Sequence, residues 1–304
     1  MTLDEQYMFR CLELAKKGAG SVAPNPIVGS ILVHQGRIIG EGYHAYYGGP
    51  HAEVNCLASV AESDRQYICS STLYVSLEPC SHHGKTPPCA DLIIRERIPA
   101  VVIGCRDPFP LVNGRGIEKL EHWGILVKQD VLKDEAININ KRFFTFHQQQ
   151  RPYIILKWAQ TADGRIAGPD RSRIVISNDL TNRLVHQWRA EEAAILVGTE
   201  TALLDNPGLT SRIPGGKNPT RLIIDRELRL PKSLQIFNAE APTIIFNTLR
   251  EGQQGNLYYC KLENEPDLLP AILKKLYTLQ VLSVLVEGGK SLHESFLKTG
   301  AWDE

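Results

Sequence analysis

Apolar and polar positions alternate along the chain with two periods. Tyr7, Met8, Cys11, Leu12 and Ala15 recur at helical spacing up to Gly18, behind a Thr2 and Glu5 pair that predicts a capping box. After the turn-rich Pro24-Asn25-Pro26, apolar runs at 27–34 and 37–42 flank Gln35-Gly36 and predict a hairpin. Pro50 opens a short helix whose apolar positions Val54, Leu57, Ala58 and Ala61 share one face, which leaves His51 and Glu53 in its first turn. Beyond it, 71–77 reads as a buried strand, 88–98 as a helix and 100–105 as a strand. Segments 117–123 and 125–131 repeat the alternation, and a helix from Lys133 toward His147 closes the stretch.

The polar run 147–152 interrupts the periodicity and ends in Pro152, so it is the expected linker. From Tyr153 the alternation resumes, with strands expected at 154–158, 193–197, 222–224, 243–246 and 281–286. Two α/β domains, 1–150 and 151–304, suit a chain of 304 residues. Composition adds little to this picture. Lys plus Arg and Asp plus Glu are 34 each, so neither a nucleic-acid nor a membrane-surface partner is indicated. No leader-like or membrane-spanning apolar run is present, and seven unevenly spread cysteines do not read as a disulfide framework, so a cytoplasmic protein is expected.

The chemistry concentrates in three places: His51-Ala52-Glu53, Pro79-Cys80, and Cys89. One imidazole and two thiolates make a three-ligand set for Zn2+, with the fourth position left for water as in catalytic sites. Cys89 follows Pro88 at a helix start, where the macrodipole and free N–H groups favour a thiolate. Glu53 is a carboxylate with no need to bind the metal. The alternative is a structural zinc knot closed by Cys56, His82 or His83, which leaves the Glu53 spacing unexplained. In the second half, Glu287-Gly288-Gly289-Lys290-Ser291 gives a strand, two glycines and a helix start able to hold a phosphate, but neither a P-loop nor a Gly-x-Gly-x-x-Gly.

His-x-Glu followed by Pro-Cys and a second cysteine is the pattern of zinc nucleobase deaminases, although eight residues here separate Cys80 from Cys89. The insert, from Pro79-Cys80-Ser81-His82-His83 through Lys85 to Pro87-Pro88-Cys89, resembles the deaminase half of the bifunctional riboflavin-biosynthesis deaminase and reductase family. Pro24-Asn25-Pro26-Ile27-Val28-Gly29 and Gly42-Tyr43-His44 match that family too. So do Leu156-Lys157, Asp163-Gly164-Arg165, Gly198-Thr199, Asp205-Asn206-Pro207 and Val286-Glu287-Gly288-Gly289, nearly to the end of the chain.

The resemblance implies a cytidine-deaminase-like three-layer domain followed by a dihydrofolate-reductase-like α/β domain. It implies zinc-dependent deamination of a 2,5-diamino-6-(phosphoribosylamino)pyrimidinone, with Glu53 moving the proton from the attacking water to the departing ammonia. Reduction of the ribose C1 by NADPH would follow, with Lys157 polarising or positioning the sugar. Asn25, His44 and Lys85 would hold the first substrate, and Arg189, Leu209, Arg212 and Glu287 the second, the arginine forks suiting a phosphate. Ala159, Val175, Thr201, Asp205 and Gly289, Lys290, Ser291, Leu292, His293, Glu294 and Ser295 would line the dinucleotide site. The family pattern has an asparagine where Phe109 stands, and a serine and tryptophan around Arg173-Ile174-Val175. The chain stops at Glu304 where the family continues into further strands. The reductase is therefore expected to be incomplete, with an unpaired sheet edge that favours a homo-oligomer. A deaminase of another nucleobase or nucleotide with an inactive second domain, and a zinc-stabilised binding module, are the other readings.

Overall fold

Thr2 Oγ1 accepts the Glu5 amide at 3.3 Å and the Glu5 carboxylate accepts that of Thr2 at 2.7 Å, so the chain enters α1 (Leu3–Lys16) through the expected capping box. The hairpin of β1 (Gly29–His34) and β2 (Arg37–Tyr43) turns at Gln35-Gly36, both at positive φ (48° and 80°), the backbone of a tight two-residue turn. Two glycines let helices close onto it. A Cβ on Gly29 would lie 2.0 Å from the Cys11 carbonyl of α1. One on Gly42 would lie 2.2 Å from the Cys56 amide of α2 (Ala52–Ala58).

The computed structural model describes residues 1–83, 87–166, 168, 174 and 176–304. The chain divides into units Met1–Gln149 and Gln150–Glu304. In the first, β3 (Thr72–Leu77), α3 (Cys89–Arg95), β4 (Ala100–Cys105), α4 (Arg115–His122) and β5 (Leu126–Lys128) follow a 3-10 segment, Glu62–Ser70, that periodicity does not predict. The sheet order is β2-β1-β3-β4-β5, antiparallel up to β3 and parallel from β3 to β5. Alternation along β3 sorts the two faces. Leu73 and Val75 pack with Cys56, Leu57, Ala90, Ile93, Ile117 and Leu120 of α2, α3 and α4, whereas Tyr74 packs with Met8, Cys11 and Leu14 of α1. The result is the three-layer arrangement expected.

The long closing helix is two helices, α5 (Lys133–Ile139) and α6 (Lys141–Gln149). Asn140 separates them because its side chain is used elsewhere: Oδ1 accepts the Ile27 amide and Nδ2 donates to the Ile27 carbonyl, both at 2.9 Å. Nor is 147–152 irregular from its start. His147 sits inside α6, its ring 4.4 Å from that of Phe143 and 5.0 Å from that of Phe109, so aromatic packing holds the polar run helical to Gln149.

The second unit contains β6 (Tyr153–Leu156), α7 (Asp179–Glu191), β7 (Ala194–Gly198), α8 (Thr199–Asp205), β8 (Thr220–Ile224), β9 (Thr243–Asn247), β10 (Gly252–Gln254), β11 (Leu257–Lys261), α9 (Leu269–Thr278), β12 (Ser283–Gly288) and α10 (Lys290–Thr299). Its sheet runs β10-β11-β9-β8-β7-β12-β6 with every pair parallel except β10 with β11. Ile154, Leu196, Leu222 and Phe246 face Ile272 and Leu276 of α9 and Phe296 of α10. Ile195, Val197, Ile223 and Ile245 face Ala202 of α8 and Trp188 of α7. On that second face lies Arg221, fully buried, donating to the carbonyls of Gln235, Ile236 and Asn238 and to the Asn238 side chain. The sheet edge at β6 is not bare. Asp303 donates its amide to the Ile154 carbonyl at 3.0 Å, Glu304 accepts the Leu156 amide at 2.8 Å, and Asp303 grips Arg151 with both oxygens.

Asn140→Ala removes two neutral hydrogen bonds between segments far apart in sequence, a loss of about 2 kcal/mol. The Ile27 amide is expected to lose its protection from hydrogen exchange in this variant, while amides of β7 and β8 keep theirs.

Candidate functional sites

Cys80 is placed by helix α3. The Ala90 amide donates to the Cys80 carbonyl at 3.1 Å and the Cys89 amide to Cys80 Sγ at 3.3 Å. The free N–H at the helix start thus serves Cys80 and not the Cys89 thiolate expected from position alone. His51 caps α2, and its Nδ1 lies 3.5 Å from Cys80 Sγ and 3.3 Å from Cys89 Sγ. All ligand atoms of the three residues fall within 4.8 Å of one another. Tetrahedral zinc with ordinary Zn–N and Zn–S bonds separates such ligands by roughly 3.6 Å, so the cluster fits that ion. Among the described residues the group includes neither Cys56 nor His82 nor His83, and Cys56 is a buried thiol pushed up to about 12.

Hydrogen bonding from the Cys89 thiol outweighs burial and, with His51 and the Cys89 amide, holds Cys80 at about 4. The same shared hydrogen bond and burial push Cys89 up. His51 is raised by its contact with Cys80. Glu53, 3% exposed, is raised chiefly by burial. A carboxyl poised above its ordinary value beside two thiols and an imidazole suits a proton carrier.

His44 completes this rim. Its Nδ1 lies 3.0 Å from the Pro50 carbonyl, which can only accept, and its Nε2 lies 3.1 Å from Asn25 Nδ2, which can only donate. The pair therefore fixes a neutral imidazole, and burial lowers His44 in the same direction. Lys85 lies outside the described residues. Phe109 does not reach toward a substrate with a polar group but packs between the rings of His82 and His147, at 5.7 and 5.0 Å. Sequence reasoning missed Glu78 and Asp107, both buried. Glu78 accepts four backbone amides from 107–117, and burial pushes Asp107 up to about 7. Neither belongs to a spacing pattern; the adjacency of Glu78 to Pro79-Cys80 was the one available signal.

In the second unit a cleft of about 1130 Å³ opens at the C-terminal ends of β6, β7 and β12. It brings together Lys157, Ala159, Arg189, Thr201, Asp205, Leu209, Arg212, Glu287, Gly289, Lys290, Ser291, Leu292 and His293. Val175, like the Arg173 departure, lies outside the described residues. Glu294 and Ser295 sit further along α10, where Glu294 pairs with Lys290 and Ser295 Oγ donates to the Ser291 carbonyl, and among the described residues neither lines the cleft. Arg189 is engaged within the protein. Its Nε and Nη2 hold both oxygens of Glu287 at 2.8 and 2.6 Å and Nη1 donates to the Thr210 carbonyl, so its fork is already occupied. Exposed Arg212 has no hydrogen-bond or ion-pair partner among the described residues and is the freer cation.

The glycines at the strand end fit a phosphate cradle. Gly289 has φ +88°, and a Cβ on Gly288 would fall 2.7 Å from the Thr201 side chain, so two residues without side chains lead into the start of α10. His186, which sequence left unassigned, also lines the cleft; its Nδ1 is buried with no partner among the described residues, and burial and then Arg189 lower it.

Fold and sites together define a zinc-binding deaminase-type domain joined to a parallel α/β domain with a nucleotide-sized cleft. Comparison with known sequences agrees: residues 1–105 match the cytidine and deoxycytidylate deaminase zinc-binding region, and residues 152–304 match the RibD C-terminal domain. The chain is 44% identical to the riboflavin biosynthesis protein RibD of Aquifex aeolicus over 99% of its own length and 85% of the relative's. With the Escherichia coli RibD protein the identity is 35%, covering 99% and 86%. A crystal structure from Thermotoga maritima, of a diaminohydroxyphosphoribosylaminopyrimidine deaminase/5-amino-6-(5-phosphoribosylamino)uracil reductase, superposes with a TM-score of 0.89 at 42% identity, covering 98% of this chain and 84% of that one. Acinetobacter baumannii RibD gives the same score at 34% identity, covering 99% and 85%. The chain belongs to the RibD family.

The side chains of Arg189 and Glu287 are only 15% and 8% exposed, so removing one partner leaves the other charge poorly solvated. Arg189→Leu is expected to destabilise the second unit by about 3 kcal/mol, and the double variant Arg189→Leu/Glu287→Leu by less. Urea denaturation followed through β7 and β8 amides checks the order.

Proposed function

We propose that the chain carries out two successive steps of riboflavin biosynthesis, deamination of 2,5-diamino-6-(5-phosphoribosylamino)pyrimidin-4-one in the first unit and NADPH-dependent reduction of its ribosyl group in the second. The observation that carries the reading is the three-ligand cluster of His51, Cys80 and Cys89 with the buried Glu53 beside it. Zinc held by these three supplies the Lewis acidity that brings the pKa of a water near 7. Glu53 then accepts a proton at its carboxylate and returns it to the leaving amine, a role that its burial beside the cluster favours. Asn25 and the neutral His44 orient the pyrimidine, with Lys85 as a third contact.

In the second unit NADPH supplies the hydride. Gly289 and the first turn of α10 would hold its phosphates, with Thr201, Asp205 and Ala159 along the dinucleotide, and Lys157 at the exit of β6 would position the ribose. Arg212 takes the substrate phosphate, while Arg189 and Glu287, paired to each other, shape the wall beside Leu209. Among the described residues no helix is long and apolar enough to cross a membrane. The reading also includes a cytoplasmic setting, supported by seven free thiols, and self-association, supported by the exposed Leu126 on edge strand β5.

The test measures zinc content, ammonia release and NADPH oxidation with the purified chain. Glu53→Gln is expected to keep zinc and lose ammonia release by about 100-fold or more, while NADPH oxidation with an already deaminated substrate persists. Lys157→Ala is expected to show the reverse pattern. Loss of both activities in either folded variant would contradict two separate sites.

A further inference from the structure

Glu78 is 4% exposed, and its carboxylate bonds to backbone amides. Oε2 accepts from Asp107 at 3.2 Å and Gly114 at 2.9 Å; Oε1 accepts from Gly116 at 3.0 Å and Ile117 at 3.4 Å. Gly116 and Ile117 lie in the first turn of α4, whose own cap, Gly114, has no side chain. Glu78 is thus a cap delivered from a different strand, its charge set against the positive end of the helix. A Cβ on Gly116 would lie 2.0 Å from the Pro79 carbonyl, so the backbone just before Cys80 is pressed against the start of α4. On its other side Cys80 is held by the first amides of α3. The loop that Glu78 gathers also carries Phe109 to the ring of His82, two residues past Cys80.

We propose that Glu78 is a positioning residue for the first site: by bonding 107–117 and the start of α4 it fixes the Pro79-Cys80 turn and sets where Cys80 Sγ stands relative to His51 and Cys89. This rests on the zinc reading given above. Groups that orient metal ligands without touching the metal typically change affinity by about 10- to 100-fold when altered. In Glu78→Gln an amide nitrogen replaces one oxygen and opposes two N–H donors, whereas Glu78→Asp keeps the charge but is one methylene too short to bridge the same four.

Zinc affinity of the full chain is measured by competition with a chromophoric chelator. Glu78→Gln is expected to bind zinc about 10- to 100-fold more weakly than the unmutated chain, with Glu78→Asp between them and kcat for ammonia release falling in the same order. A lowered thermal midpoint with unchanged zinc affinity in either folded variant would reduce Glu78 to a fold staple and overturn the proposal. A second measurement needs no variant. Coupling is reciprocal, so stripping zinc from the unmutated chain is expected to speed exchange of the Gly114, Gly116 and Ile117 amides; unchanged exchange overturns the proposal as well. An unmutated chain that holds no zinc would instead refute the reading of the site itself.

Discussion

Parallel pairing of β3 with β4, and of β6, β12, β7, β8 and β9 in the second unit, requires a crossover between neighbouring strands. Strand C-termini and helix N-termini then collect on one rim of each sheet, and the polar groups at that rim must find partners. In the first unit the end of β3 delivers Glu78 and Cys80 to the starts of α4 and α3. In the second, the ends of β6, β7 and β12 deliver Lys157, Thr199 and Gly289 to the cleft, with α8 and α10 starting there. Both sites follow from one topological rule, though their chemistry has nothing in common.

What the sequence made legible was local or chemically marked. The Thr2 and Glu5 box, the Gln35-Gly36 turn and the alternation of β3 each involve residues within a few positions of one another. His51, Glu53, Cys80 and Cys89 were readable because their residue types have few other reasons to recur at that spacing. Partners far apart in sequence were not readable. Glu78 meets amides 29 to 39 positions away, and Arg189 meets Glu287 across 98. Asn140 breaks a helical pattern for a contact with Ile27 that no window of residues contains. β10 is three residues long and exposed throughout, so it has no apolar pattern to read.

The two sites also handle charge differently. Around His51 the cluster is a set of donors converging on a common centre, which a cation satisfies all at once. In the cleft, Arg189 and Glu287 pair with each other, while Arg212 lines the same cleft with no ion-pair partner among the described residues.

Arg221 carries a consequence for how the second sheet assembles. Its neighbours on β8 alternate, with Leu222 on the face toward α9 and Ile223 on the face toward α8. Sliding β8 by one residue would swing the guanidinium from the carbonyls of Gln235, Ile236 and Asn238 into the aliphatic layer of Ala194, Leu196 and Ile244. A charge stranded there has no compensation, so this cation penalises the shifted alignment far more than it rewards the correct one. In a row of parallel strands built from near-interchangeable aliphatics, one buried arginine acts as an index mark, telling β8 which of two otherwise similar alignments to keep.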